Sequence, residues 1–445
     1  MIQILDSRGD LPERVRVQLR RIAQEYPAEA EATVRMICER VRQEGDTALL
    51  AFTRQWDCPN LTALEVSNEE FDRAAHQIEP SLRNAIRLAI VRVRRFHEAM
   101  RPRSWWLEEP RGGLIGQWIR PLQRVGLYVP GGRAQYPSTV IMNAVPAQVA
   151  GVTELILCTP PRRDGSLPAS VLFAAREAGV SRVFKVGGAQ AIAAMAFGTE
   201  TVPRVDKIVG PGNLYVNLAK RLLWGQVGVD LWAGPSEVAL IADESANPAF
   251  LAADLLTQLE HGEESRGFLF SPSEQVVHAA RQAIEQQLPL RQRRALITHA
   301  LQQSVAVITR DLDEAIDLAN EVAPEHLSLM VQEPWQWLPK VRHAGCILLG
   351  HFSPQSLGDY LAGPSHTLPT GGAARFESPV SVETFLKRSS LIAFSSESLH
   401  ALRDAIIALA QEEGFDGHAW GATVRDVPNP APMLRMQEED MEAQP

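Results

Sequence analysis

From residue 126 onward, short apolar runs alternate with segments in which apolar residues recur at the helical period. This alternation is typical of parallel sheets covered by helices on both faces. It divides into two series that join near residues 233–237, so it predicts two α/β units. The predicted strands are residues 126–129, 154–159, 182–186, 207–209 and 229–232 in the first series, and 238–242, 267–270, 304–308, 327–331 and 345–349 in the second.

The region before the two series is mainly helical in pattern. Residues 1–25 predict a short N-terminal arm. Residues 28–56 and 81–100 are amphipathic stretches that predict long helices, and residues 115–120 predict a short strand.

The region after the two series begins with residues 351–378, which are rich in proline, glycine and serine. They predict a long irregular loop, and such loops in compact domains are usually functional or disordered. Two helices are predicted next, over residues 381–390 and 396–413. The acidic end of the chain is expected to fray.

Composition excludes several classes of protein. The chain has 445 residues, a net charge of -9, 45% apolar residues and 22% charged residues, which are ordinary for a globular protein of several domains. The negative charge argues against binding to nucleic acid or anionic membranes, and the sequence has no apolar run long enough to span a bilayer. The N-terminus lacks the features of a signal peptide. The 4 cysteines form no C-x-x-C pair, so we expect a cytoplasmic protein without a cysteine-rich metal site.

Residues 247–262 predict a helix that ends in a candidate half of a metal site. Asn247 fits the N-cap, and leucines that recur every four residues give a buried stripe. Gly262 is expected to end the helix in the left-handed conformation. Gln258 and His261 are three residues apart, so we expect them on one face, away from the stripe. The alternative is a polar helix face with a histidine beside the helix dipole.

Glycine clusters follow four predicted strands of the first series, where the carboxyl ends of parallel strands bind ligands. Glycine permits close approach of the backbone to a ligand, and helix N-termini favour phosphate, so the clusters indicate a nucleotide or phosphate site. The alternative is ordinary turn chemistry. The G-x-G-x-x-G fingerprint is absent, so a bound dinucleotide would be held in a non-standard way. The clusters are Gly131-Gly132, Gly187-Gly188, Gly210-Pro211-Gly212 and Gly234-Pro235.

Glu325 and His326 precede a predicted strand and follow a proline. A carboxylate and an imidazole at this point can supply two general bases in one site, although the segment can also be a surface loop.

Four side chains, two of them at the end of the helix described above, make two nitrogen and two oxygen ligands without a thiolate, a set that suits zinc. Spacing alone does not justify pooling them, since they come from distant segments. These side chains are Gln258, His261, Asp359 and His418.

The sequence resembles the histidinol dehydrogenase family from about residue 28 to residue 425. The resemblance rests on ordered motifs: Tyr128-Val129-Pro130-Gly131-Gly132, Gly187-Gly188-Ala189-Gln190-Ala191, Val209-Gly210-Pro211-Gly212-Asn213, Ala233-Gly234-Pro235-Ser236-Glu237, Gln258-Leu259-Glu260-His261, Pro324-Glu325-His326-Leu327, Gly358-Asp359-Tyr360, His366-Thr367-Leu368-Pro369-Thr370-Gly371-Gly372, and Glu413 with His418.

The resemblance implies an enzyme that oxidises L-histidinol through L-histidinaldehyde to L-histidine with two NAD, in the last steps of histidine biosynthesis. Members of the family are homodimers with shared active sites and one zinc ion per subunit. The residues carried over are Glu325 and His326 as general bases; Gln258, His261, Asp359 and His418 as zinc ligands that also line the substrate site; Tyr128, Gln190 and Asn213 as NAD contacts; and Ser236, His326, His366 and Glu413 as substrate contacts.

The expected architecture is α/β, with two Rossmann-like parallel-sheet domains, a small N-terminal arm and a C-terminal helical tail. One domain comprises residues 26–122 and 237–376 and carries the zinc and base residues, and the other comprises 123–236 and carries the NAD contacts. The arm is 1–25, and 377–445 holds C-terminal helices and a tail that crosses into the partner subunit.

Two other classes of function stay open from the residues. A relative on the same scaffold could oxidise a different small alcohol, but Glu413 as a contact for the substrate imidazole disfavours it. A zinc hydrolase with Glu325 as base, or a non-catalytic nucleotide-binding protein, is a further alternative. The four glycine turns disfavour the hydrolase, and the intact pair of bases disfavours the inert binder.

Overall fold

A computed structural model describes residues 2–9, 12–19, 27–132, 134–231 and 234–425. The acidic end of the chain lies outside these residues. The strands are β1 (Gln3–Asp6), β2 (Trp105–Glu109), β3 (Gly113–Pro121), β4 (Arg124–Tyr128), β5 (Glu154–Thr159), β6 (Arg182–Lys185), β7 (Lys207–Val209), β8 (Gly228–Val229), β9 (Glu237–Ala242), β10 (Arg266–Ser271), β11 (Val305–Ile308), β12 (His326–Met330), β13 (Cys346–Leu349) and β14 (Leu386–Phe394).

The helices connect these strands and cover the sheets. They are α1 (Pro12–Leu19), α2 (Ala28–Glu44), α3 (Asp46–Trp56), α4 (Asn68–Gln77), α5 (Pro80–Met100), α6 (Pro137–Ala150), α7 (Ala169–Glu177), α8 (Gly188–Phe197), α9 (Leu214–Leu223), α10 (Pro248–Leu259), α11 (Glu274–Gln287), α12 (Arg294–Leu301), α13 (Leu312–Val322), α14 (Pro334–Trp337), α15 (Gln355–Tyr360), α16 (Ser396–Glu412) and α17 (Asp416–Thr423). Among the described helices, none combines the length and the apolar content needed to cross a membrane.

The chain forms two compact units, Met1–Met100 with Gln123–Phe385 and Arg101–Leu122 with Leu386–Pro445. The first unit contains two parallel sheets, which confirms the predicted α/β class. The smaller sheet has the strand order β6-β5-β4-β7-β8. Numbered along the chain, this is 3-2-1-4-5, the Rossmann order, so the direction of winding reverses between β4 and β7.

The larger sheet of the first unit has the order β1-β11-β10-β9-β12-β13, and all its pairs are parallel. Apart from β1 this is again 3-2-1-4-5, and the winding reverses between β9 and β12. Val238 and Leu240 belong to a core cluster with α10 and α11, whereas Ala239 and Ile241 belong to a cluster with α13. Helices therefore cover both faces, as the apolar strands predict.

Three segments of the first unit differ from the sequence prediction. Within residues 1–25, the arm supplies the edge strand β1, whose register is Gln3 opposite Val305. The predicted helix over 28–56 is two helices, because Gly45 takes a positive φ of 53° between them. The predicted irregular stretch 351–378 contains α15.

The second unit contains the antiparallel sheet β14-β3-β2 followed by α16 and α17. The predicted helix over 381–390 is wrong: Val382–Phe385 is a single 3-10 turn, and β14 then pairs with all nine residues of β3. Pairing with residues 265 to 281 positions earlier in the chain overrides the local pattern, as is common for strands. The predicted helix at 396–413 is confirmed as α16, which Ser395 caps.

Candidate active site

The candidate bases lie where β12 begins in the larger sheet. Glu325 directly precedes β12 and His326 is its first residue, opposite Val238 of β9. This is the point at which the winding of the sheet reverses, but at the amino ends of the strands. The rule that ligands bind beyond the carboxyl ends would not have located these residues.

Helix α10 brings Gln258 to the same edge of the sheet. Asn247 caps the helix by accepting a hydrogen bond from the Ala249 N–H, as predicted, and the leucine stripe is buried. The helix ends at Leu259, and the next residue keeps the right-handed conformation. The expected left-handed end at Gly262 is therefore wrong, and His261 lies in the turn beyond the helix instead of on its face.

One hydrogen bond joins the helix to the candidate bases. Gln258, which is 1% exposed, donates from Nε2 to Oε2 of Glu325 at 2.9 Å. The same carboxylate oxygen accepts the backbone N–H of Glu237 at 2.9 Å. The Oε1 atom of Gln258 is buried without a hydrogen-bond partner in the described part of the chain. Buried polar atoms are normally paired, so this oxygen is available to a hydrogen-bond donor or a cation.

The environment of Glu325 gives its carboxyl group an unusual proton affinity. Burial raises its pKa to about 7, although His326 and the hydrogen bond from Glu237 oppose that rise. A carboxyl group that titrates near neutral pH suits general-base chemistry.

His326 is held between two side chains of the segment after β13. Its Nε2 atom lies 3.5 Å from Oδ1 of Asp359, and its Nδ1 atom lies 3.4 Å from Nε2 of Gln355. Burial alone would lower the pKa of His326, but the carboxylates of Asp359 and Glu325 outweigh burial and raise it. Burial likewise opposes ionisation of Asp359, and His326 is the main cause of its lowered pKa.

His366 packs on the other side of Asp359. Its Nδ1–H donates to the backbone carbonyl of Asp359 at 2.9 Å, and its Nε2 lies 3.4 Å from the Thr139 hydroxyl of α6. Burial lowers the pKa of His366, which favours the neutral ring. Since α6 follows β4 of the smaller sheet, His366 lies where the two sheets of the first unit meet.

His261 has surface exposed to solvent. The protein around it nevertheless removes part of the water from the ring and so lowers its pKa, while the Asp359 carboxylate opposes that effect. In the described residues, no group of three or more His, Cys, Asp or Glu side chains is close enough to hold a metal ion. The unpartnered amide oxygen of Gln258, the carboxylate of Asp359 and a neutral His261 are nevertheless donors that fit zinc, and the site stays a prediction.

The expected NAD contacts Tyr128 and Gln190 lie at the start of α8. Tyr128 ends β4, is 4% exposed, and accepts the N–H of Gly188 at 3.0 Å. Burial raises its pKa to about 12. Gln190 is 2% exposed in the first turn of α8. The hydroxyl group thus occupies one of the N–H donors at this helix end.

Asn213 follows the glycine turn after β7 and is exposed. Its Oδ1 atom accepts the Val216 N–H at 3.1 Å, so it caps α9. The side-chain nitrogen of Asn213 points away from that capping bond and is the part of the group that could face a ligand.

The remaining predicted residues are spread over both units. Ser236 is half-buried just before β9, and its carbonyl accepts the Arg266 N–H at 3.0 Å. Glu413 is the C-cap of α16 and His418 lies in α17, both in the second unit and both exposed. The first unit brings together Gln258, Glu325, His326, Asp359 and His366 through the contacts above.

Sequence reasoning missed three residues at this site. Asp254 lies four residues before Gln258 on α10, is 5% exposed, and burial raises its pKa to about 6; its helical spacing could have revealed it. Glu237 accepts the Gly371 N–H at 3.0 Å. Gln355 is fully buried against His326, and no local pattern marks it.

The sequence and the fold both match known proteins of one family. The sequence profile described as histidinol dehydrogenase matches residues 20–426. The histidinol dehydrogenase of Moorella thermoacetica is 50% identical over 399 residues, which cover 89% of this chain and 94% of that protein. That of Halalkalibacterium halodurans is 47% identical over 393 residues, covering 88% and 93%. The crystal structure of histidinol dehydrogenase from Elizabethkingia anophelis matches with a TM-score of 0.92 and 35% identity, covering 95% of this chain and 98% of that one.

Proposed function

The chain belongs to the histidinol dehydrogenase family, and from that membership we propose that it oxidises L-histidinol to L-histidine in two steps, each of which passes a hydride to one NAD. The observation that carries this proposal is the contact between Gln258 and Glu325. It holds a buried carboxyl group, whose pKa is about 7, beside His326 and leaves an amide oxygen free for a metal.

In the first step, His326 removes the proton of the substrate hydroxyl while the carbon-bound hydrogen leaves as hydride. Asp359 supports this role because its carboxylate favours the protonated imidazole that the step produces. The product is the aldehyde, and one proton and one hydride have left the substrate. An imidazole suits the transfer because it titrates near neutral pH.

In the second step, Glu325 activates water for addition to the aldehyde. The hydrate then loses a second hydride, and the carboxylate of histidine is formed with release of the remaining protons. Glu325 fits because burial makes it a stronger base than an ordinary carboxylate. The hydrogen bonds from Glu237 and Gln258 fix one of its oxygens, which leaves the other for water.

Gln258, His261 and Asp359 would hold zinc together with His418 from the tail of a second copy of the chain. Zinc held by these residues would supply a Lewis-acid centre that helps to orient the substrate. His366 and Ser236 would line the substrate pocket, and Glu413 would accept a hydrogen bond from the far side of the substrate imidazole. Tyr128, Gln190 and Asn213 would contact NAD, which carries the hydride while the protein supplies the geometry. The shared site implies a homodimer.

A comparison of substrates tests this proposal. The purified protein with zinc and NAD should produce NADH from L-histidinol, and L-alaninol, an amino alcohol without an imidazole, should give a kcat/KM lower by at least about 100-fold. Glu413→Gln should raise KM for histidinol, whereas Glu412→Gln, a change in the neighbouring exposed residue, should not. Equal rates with both alcohols would favour a different alcohol dehydrogenase, and no NADH from histidinol would refute the proposal.

A further inference from the structure

The loop that follows β7 rests on a buried ion pair. Nζ of Lys220 in α9 lies 2.7 Å from Oδ1 of Asp230, and the two side chains are 5% and 1% exposed. Neither residue is among the predicted cofactor contacts. A buried ion pair adds little stability compared with apolar residues of the same volume, because both charges lose their hydration. The pair therefore calls for an explanation other than stability.

Both polar groups of Gly210 are held by this pair. The Gly210 N–H donates to Oδ2 of Asp230 at 2.7 Å, and Nζ of Lys220 donates to the Gly210 carbonyl at 2.5 Å. Gly210 has a φ of 115°, and a Cβ atom there would lie 2.1 Å from the carbonyl oxygen of Tyr128. Two charged side chains thus hold the backbone of Gly210, which also lies close against the end of β4.

This loop lies at the point in the smaller sheet where the winding reverses. Gly210 directly follows β7, which pairs in parallel with β4; the strands after β4 are added towards one edge of the sheet, and the strand after β7 is added towards the other. In open parallel sheets this crevice receives the nucleotide. Three residues further on, Asn213 caps α9. The backbone between Gly210 and Asn213 is therefore anchored at one end by the ion pair and at the other by the cap.

We propose that Lys220 and Asp230 are positioning residues for the dinucleotide, and that they hold the Gly210–Asn213 loop in the shape that receives NAD. In other Rossmann-like folds a G-x-G-x-x-G turn shapes the loop that binds the dinucleotide. This chain lacks that sequence, and the ion pair takes its place. The pair acts through the backbone of Gly210 and does not touch the reacting atoms. This inference rests on the proposed use of NAD.

The test replaces the pair while keeping its volume. Lys220→Met/Asp230→Asn removes both charges and leaves no unpaired buried ion, so it should fold even where a single variant fails. We expect KM for NAD to rise at least about 10-fold and KM for histidinol and the zinc content to stay within about twofold, since the site around Glu325 is formed by other elements. Lys220→Arg, which keeps the charge, should raise KM for NAD less than the double variant does.

The control is the partly exposed Arg124–Glu154 pair, with an Nε–Oε2 distance of 2.5 Å, at the amino ends of β4 and β5 in the same sheet. Arg124→Met/Glu154→Gln should leave KM for NAD unchanged even if it lowers the melting temperature. A folded Lys220→Met/Asp230→Asn variant with an unchanged KM for NAD, or with both KM values raised equally, would overturn the inference. Failure of the wild-type protein to reduce NAD would instead overturn the proposed function.

Discussion

The side chains of Gln258 and Glu325 meet at 2.9 Å, with the amide nitrogen of Gln258 donating to the carboxylate. The contact links the end of α10 to the start of β12, 67 residues further along the chain. It also orients the amide, because the nitrogen is committed to Glu325 and the oxygen is left buried and unpartnered in the described part of the chain. One residue can therefore serve a base and a metal ion at once.

The first prediction concerns this double role. Gln258→Leu removes the donor to Glu325 and the candidate ligand oxygen, so we expect zinc affinity to fall at least about 10-fold and kcat at least about 100-fold. Zinc titration of the purified variant and steady-state kinetics provide the measurement. Thr257→Ser, a change in the neighbouring residue that keeps the hydroxyl bond to the Ala253 carbonyl, is the control. Full zinc content in the leucine variant would exclude Gln258 as a ligand.

The second prediction separates the two bases. His326→Asn should slow oxidation of histidinol by about 10²- to 10⁴-fold, because the hydroxyl proton loses its acceptor. Glu325→Gln should slow oxidation of supplied histidinaldehyde more than oxidation of histidinol, because water activation is lost. Each variant is assayed with both substrates. Small and equal effects in all four assays would contradict the assignment of roles.

The third prediction tests whether the tail acts in a second copy of the chain. Gln258→Leu and His418→Ala should each be inactive alone. In a mixed dimer with crossing tails, one of the two sites has both residues intact, so refolding the variants together in equal amounts should restore about a quarter of wild-type activity. The mixture is assayed against each variant refolded alone. No recovery in verified mixed dimers would mean that each tail serves its own chain or that His418 has another role.

The fourth prediction concerns stability and His97, which is fully buried in α5 and has no hydrogen-bond partner for either ring nitrogen in the described residues. Burial lowers its pKa from 6.5 to about 4. The unfolded chain therefore takes up a proton at a pH where the folded protein does not, and stability is lost as pH falls through this window.

Between about pH 7.5 and 5, this group should cost the wild-type protein about 2 kcal/mol of unfolding free energy. Urea unfolding at the two pH values measures the loss. His97→Leu should lack this component, whereas His76→Gln on the exposed surface of α4 should keep it. An identical pH dependence in His97→Leu would show that the ring is not buried as a neutral group.

The parts of the fold that the sequence predicts are those where the local pattern and the tertiary structure agree. The apolar strands of both sheets are buried on two faces, so their period and length identify them, as at β5 and β7. Segment 386–394 has polar residues at its centre and becomes a strand only because β3 offers it a partner. That information is not local, and for this reason the helix predicted over residues 381–390 was extended wrongly into the start of this strand.

The site divides in the same way. The N-cap Asn247 and the buried stripe of α10 follow from spacing, whereas the position of His261 depends on where the helix stops. Gln355 lies against His326 because α15 folds back after β13, and no spacing within its own segment indicates that contact. Family resemblance supplied the grouping of Gln258, Asp359 and His326, since each comes from a different element.

The most direct test of the central claim measures NADH formed per histidinol consumed in one preparation, first loaded with zinc, then treated with chelator and then resupplied with zinc. We predict two NADH per histidinol, loss of activity on chelation, and recovery on addition of zinc while the protein stays folded throughout. An unchanged rate after complete removal of the metal would contradict the account, and so would the absence of NADH from the zinc-loaded protein.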